Sequence, residues 1–197
     1  MRLIWKGGFN GDEATLPTRA HLPNSVPFEE LDAKRFALAM NIAAVLIFAA
    51  AFVLLKLRGM EGASLWGFLA ALVALVPHEL LHAICFKGDV YVYSWLKRGT
   101  IFVIGTETMT RGRFVLLSLL PDIVFGLIPY AAALICPQLV FLGCLGSLSL
   151  GCGAGDYYNA FNALTQVPKG ARVYLDGFHS YWYRPQPREG LERAQHR

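Results

Sequence analysis

Residues 64–86 read SLWGFLAALVALVPHELLHAICF, an apolar run interrupted only late, by Pro77, His78, Glu79 and His82. A helix needs about 20 such residues to cross a hydrocarbon core about 30 Å thick. Three more runs meet that length: 36–55, where Asn41 is the main polar interruption, 114–135 and 139–164. The whole composition agrees. Of 197 residues, 55% are hydrophobic and 16% charged, and the mean hydropathy is +0.42, against roughly 25% charged in ordinary globular chains. So few charges cannot coat a water-facing sphere, which argues against a soluble domain, a disordered chain or a secreted disulfide scaffold. The four cysteines, Cys85, Cys136, Cys144 and Cys152, lie in or beside apolar runs and read as packed free thiols. The expected fold is therefore an all-α polytopic membrane protein with four transmembrane helices, at about 36–55, 64–86, 114–135 and 139–164.

What flanks these runs sets an expected orientation. Residues 1–35 form a polar arm punctuated by Pro17, Pro23 and Pro27, without the pattern of a signal peptide, so the first helix is expected to act as an uncleaved signal anchor. Sixteen of the 18 Lys and Arg residues fall in that arm, in the loop 87–113 or in the tail 167–197. Lys56 and Arg58 alone lie between the first two helices, and none lies between the last two. The positive-inside rule then predicts a multi-pass protein of the cell membrane with both termini and the central loop cytoplasmic. The net charge of +4 needs no nucleic-acid partner, and arm and tail are expected to rest on the lipid bilayer by charge. Within the loop, Val90-Tyr91-Val92-Tyr93-Ser94-Trp95 and Ile101-Phe102-Val103-Ile104 flank Lys97-Arg98-Gly99, the signature of a β-hairpin between helices two and three. A lone hairpin is marginal, so it should lie against the helices or the membrane surface.

The chemistry is in the second helix. His78-Glu79-Leu80-Leu81-His82 is an HExxH sequence. Residues four apart share one helix face, so both imidazoles can point at one ion with Glu79 beside it. A zinc held by two histidines and a third ligand keeps a position open for water and lowers that water's pKa to about 7. Glu79 would take the water's proton and return it to the departing amine. Ionisable groups inside a membrane helix cost several kcal/mol unless paired or metal-bound, which favours a site over chance. The plainer reading is that the three side chains only hydrogen-bond neighbouring helices.

A third ligand must come from elsewhere, and Asp122, Asp156 and Asp176 are the acidic candidates. Asp156, within Gly151-Cys152-Gly153-Ala154-Gly155-Asp156, lies at a membrane depth within several ångströms of His82, and the glycines would allow close helix approach. Depth therefore ranks Asp156 first. Asp122, after Pro121, falls nearer the cytoplasmic end, and Asp176 in Leu175-Asp176-Gly177 reads as a plain turn. Pro77 removes a backbone hydrogen bond one turn before the motif and favours a kink. Asn159 and Asn162 read as interhelical hydrogen-bond partners rather than catalytic groups.

Several segments recur together in this order: Pro77 to Ala83, Glu107-Thr108-Met109-Thr110-Arg111, Leu119-Leu120-Pro121, Gly155-Asp156-Tyr157-Tyr158-Asn159-Ala160 and Val167-Pro168-Lys169-Gly170-Ala171. Over about residues 30 to 183 the set resembles the putative zincin peptidase family of small bacterial membrane proteins, which look like compact relatives of the site-2 proteases. That resemblance implies zinc on His78, His82 and Asp156 with Glu79 as base. The chain departs from the larger family in lacking its Asn-Pro-x-x-Asp-Gly stretch around the aspartate. It carries no PDZ or CBS module. The resemblance also implies a use for the hairpin, since an extended substrate can add to a sheet edge. The expected function is a membrane-embedded zinc metalloprotease (residues 36–166) acting on a membrane-protein or peptide substrate within or next to transmembrane segments. Its rivals are an inactive membrane scaffold and a zinc-handling transporter, the latter weakened by having one polar cluster at one depth.

Overall fold

The computed structural model describes residues 1–185, so Arg188, Arg193 and Arg197 of the basic tail lie outside the described residues. Among the described residues, three helices are long and apolar enough to cross a membrane. They are α1 (Ala33–Leu57), α2 (Leu65–Ile84) and a continuous rod, Arg111–Ile135, made of α3 (Arg111–Pro121), a π-helical stretch (Asp122–Leu127) and α4 (Ile128–Ile135). Local chemistry starts each one. The Asp32 carboxylate accepts from the Lys34 and Arg35 N–H groups, the Ser64 hydroxyl from Gly67 and the Thr110 hydroxyl from Arg113, caps worth about 1 kcal/mol apiece. Over its most apolar stretch α1 is only 11% buried, with Leu38, Val45 and Leu46 pointing away from the protein. Surface of that kind suits lipid rather than water.

The all-α, four-span expectation is overturned twice. First, the run 139–164 is two helices, α5 (Val140–Cys152) and α6 (Ala154–Gln166), separated at Gly153. At 1.5 Å per residue α5 reaches roughly 20 Å, short of the hydrocarbon core. Glycine is a poor helix former, and here it also makes room. A Cβ on Gly153 would fall 2.0 Å from Asp122 Oδ1, and one on Gly151 2.7 Å from the Ala44 carbonyl oxygen. Second, the fold is mixed, with two sheets formed by segments outside the apolar runs. One has the order β1–β3–β4, from β1 (Arg2–Gly8), β3 (Asp89–Trp95) and β4 (Thr100–Ile104). The other has the order β2–β7–β6–β5, from β2 (Val26–Pro27), β5 (Met109–Thr110), β6 (Arg172–Asp176) and β7 (His179–Tyr183).

The hairpin read from the sequence is present as β3 and β4, paired Tyr91 to Ile104 through Trp95 to Thr100, with Gly99 at φ 64° supplying the left-handed turn residue. It is not alone. Arg2 to Gly8 pairs parallel to Asp89 to Ser94 on its other side, leaving β4 as an outer strand. Arm and tail meet in the second sheet, where Val26 and Pro27 pair with Trp182 and Tyr181. Between sheets and helices lies a core of Phe28, Phe86, Val90, Met109, Phe114 and Val173. Phe9 stacks edge-on against Trp95, Phe102 and Phe178, tying the first sheet to the β6–β7 turn. Glu107 fastens the end of α2 to the loop. Its carboxylate accepts from the Lys87 and Gly88 N–H groups and pairs with Arg113, whose Nε donates to the Cys85 carbonyl. All four cysteines are free, with Cys144 buried.

Close backbone approach holds the helices together. At Gly146 an added Cβ would lie 2.5 Å from the Tyr130 backbone nitrogen, which cannot swing aside. Gly146→Ala should therefore overpack α4 against α5 by about 1–3 kcal/mol and lower the melting temperature in detergent; an unchanged melt would show that the helices yield freely there.

Candidate metal centre

Helix α2 carries His78 and His82 one turn apart on its protein-facing side, both more than nine-tenths buried, with ring centroids 5.0 Å apart and planes at 81°. Pro77 lies inside the helix without ending it. Asp156 enters from the first turn of α6, just past the break at Gly153. Its carboxylate stands between the imidazoles, Oδ2 at 3.0 Å from His78 Nε2 and Oδ1 at 3.4 Å from His82 Nε2. Asp156 is the first charged residue of the run 139–164, and it stands just past the break.

Helix α3 orients the second histidine. His82 Nδ1 lies 2.7 Å from the Leu117 carbonyl oxygen. A carbonyl cannot donate, so Nδ1 carries the proton and donates it, and Nε2 keeps its lone pair for a metal. The carbonyl is available because of the sequence around it. In a helix it would accept from the residue four positions on, and that residue is Pro121, which has no N–H. A proline in an apolar helix thus frees the acceptor that sets the tautomer of His82.

Glu79 faces a cavity of about 210 Å³, lined also by His82, Asp156, Asn159, Phe102 to Ile104 of β4 and Phe178 of the β6–β7 turn. The Val103 backbone N–H is directed at the Glu79 carboxylate. A larger cavity, about 690 Å³ near the start of α2, has Glu61 as its only ionisable lining residue and offers no comparable chemistry.

Two of the three candidate aspartates are beside the histidines. One atom each from His78, Asp122 and Asp156 lie within 4.8 Å of one another, as do atoms of His78, Glu79 and His82. Asp122 is 3% exposed. Asp176 is elsewhere, accepting from the Arg19 N–H at the end of β6 with His21 3.8 Å away. The sequence reading assigned the Leu117 carbonyl no role, and it showed a turn at Leu175-Asp176-Gly177 without the strands around it or its place on the cavity. Pro121 was the available signal for the first, and Val173-Tyr174-Leu175-Asp176-Gly177, a strand running into a turn, for the second.

The sequence profile of a family described as "Putative zincin peptidase" matches residues 71–172, from the middle of α2 to the start of β6. The chain belongs to this family. No curated protein and no solved structure matches the chain. Membership in the zincin peptidases points to a zinc metallopeptidase, and it makes zinc the cofactor. The donor set suits that ion: two imidazoles and a carboxylate are standard zinc ligands, and two ligands on one tetrahedral zinc, each at about 2.0–2.1 Å, lie roughly 3.3 Å apart.

Pro121→Ala would give residue 121 an N–H that competes with His82 for the Leu117 carbonyl. Zinc affinity, measured by chelator competition, should fall about tenfold, the low end for loss of a group that orients a metal ligand. An unchanged affinity would show that the carbonyl does not depend on the proline.

Proposed function

We propose that this chain is a membrane-embedded zinc peptidase that hydrolyses peptide bonds within or next to the transmembrane segments of other proteins, in the manner of the site-2 proteases it resembles. The observation that carries the reading is the position of Glu79: beside two buried histidines, on a cavity whose far wall is an outer β-strand, among helices apolar enough to span a membrane. Arm, hairpin loop and tail hold 16 of the 18 basic residues, and strand pairing brings the arm, the hairpin and the described part of the tail to one end of the helices. That gathering favours a cytoplasmic location for this end and for both termini.

His78, His82 and Asp156 would hold the zinc. When bound, the ion lowers the pKa of a coordinated water to about 7 and polarises the scissile carbonyl. Glu79 removes the proton from the attacking water and delivers it to the leaving amine, which general-base catalysis requires of a group within hydrogen-bond reach of both. Leu117 keeps His82 in the one tautomer that leaves Nε2 free. β4 holds the substrate. Residues alternate along a strand in the side to which their N–H and C=O point, so Ile101 presents its N–H on the same open side as Val103. An unwound substrate segment can pair there as an added strand, and Phe86, Phe102 and Phe178 give apolar surface for its side chains.

Glu79→Gln should abolish cleavage, a loss of at least about a hundredfold for a missing general base, while the variant retains zinc; a scaffold protein would not register the change. On the substrate side, Ile101→Pro removes one outward N–H without touching the β3 ladder or the metal centre. It should reduce turnover of a membrane-embedded reporter with zinc content unaltered, and undiminished turnover would refute strand addition at β4.

A further inference from the structure

Asp122 is a carboxylate that the mechanism above does not use. It follows Pro121 at the first position of the π-helical stretch, a kind of turn found often at functional sites. Both of its oxygens are buried and neither has a hydrogen-bond partner. A buried carboxylate with no donor is costly, and the cationic residues of its own helix, Arg111 and Arg113, are at least nine residues away, roughly 13 Å along the axis. Arg111 donates to the Val167 carbonyl, and Arg113 is engaged with Glu107 and Cys85. What Asp122 does face is a second carboxylate, Asp156, and the His78 imidazole, with one atom of each within 4.8 Å of the others. Two carboxylates so close in a dry site repel unless a cation lies with them or one of them holds a proton. The surroundings are shaped to admit the group: Gly153, with no Cβ, lies directly against it, and any larger residue there would collide with its oxygens.

We propose that Asp122 is a fourth protein ligand of the zinc, so that the ion is held by His78, His82, Asp156 and Asp122. The proposal rests on the zinc reading of the site and adds to it. Two carboxylates and two neutral imidazoles balance the charge of a divalent ion, which suits a centre enclosed by apolar helices. That donor set would give the ion four protein ligands, so water would reach it only if one carboxylate gave way. Asp122 is the one that would give way, because no hydrogen bond holds its carboxylate, whereas Asp156 Oδ2 lies 3.0 Å from His78 Nε2.

The test is a comparison of the full chain with Asp122→Asn and His78→Ala in detergent, each purified without metal and titrated with zinc. Asparagine has the same shape without the charge. The apo variant should therefore melt at a higher temperature than the apo parent, since it no longer buries an unpaired carboxylate. It should still bind one zinc, at least tenfold more weakly, and gain less in melting temperature from the ion. Cobalt substituted for zinc should give different visible absorption in parent and variant. A role in packing alone predicts an apo variant that melts like the parent, with zinc affinity and cobalt spectrum unchanged, and that result would overturn the proposal. If a folded parent binds no zinc and His78→Ala makes no difference, the zinc reading fails first and the proposal with it. If His78→Ala loses zinc while Asp122→Asn keeps parental affinity, the proposal alone fails.

Discussion

The contact on which the site depends is that of Asp156 with the two imidazoles of α2. His78 and His82 are buried among helices whose outer faces are apolar, and polar groups in such a place need partners. The carboxylate reaches them because the last apolar run breaks at Gly153, starting a new helix with Asp156 in its first turn. The break shortens α5 below membrane-spanning length, so one potential crossing is given up for the position of one side chain. The proline of the neighbouring helix acts in the same way. Pro121 removes a helical hydrogen bond, and the carbonyl it frees is the one that fixes His82.

Around this centre the polar segments are organised by pairing rather than by length. β1 joins residues 87 positions apart in the chain, Arg2 with Asp89, and β2 meets β7 across more than 150. The sheets so formed wall the cavity that Glu79 faces, with β4 on one side and the β6–β7 turn on the other. In the proposed function, helices would supply the metal donors and sheets the approach. An enzyme that opened a helical substrate before cutting it would need both, since the released backbone groups must find partners as a helix unwinds.

What the sequence disclosed and what it hid follow from the same physics. The HExxH face of α2 was legible because a four-residue spacing has one meaning on a helix, and the β3–β4 hairpin because both strands and their glycine turn are local. Asp156 could be ranked first by depth alone, and the structure has it beside both histidines. Strands β1 and β2 were not legible. Their partners are distant in sequence, and a short run such as Leu3-Ile4-Trp5 inside a polar arm carries no sign of what it pairs with. β6 and β7 did carry a local sign, Asp176-Gly177 between two aromatic-rich segments, but the basic charge of the tail pointed to a surface extension instead. The break at Gly153 was hidden because glycines in an apolar run serve equally well for helix packing and for helix ending. Only the carboxylate of Asp122 lying against Gly153 distinguishes the two.

The most direct measurement is the zinc content of the purified chain in detergent after dialysis against a weak chelator, with His78→Ala and Asp156→Ala carried alongside. One zinc per chain in the parent, and far less than one in both variants, is the predicted result. A folded parent that holds no zinc after reconstitution with the metal would contradict the account at its centre.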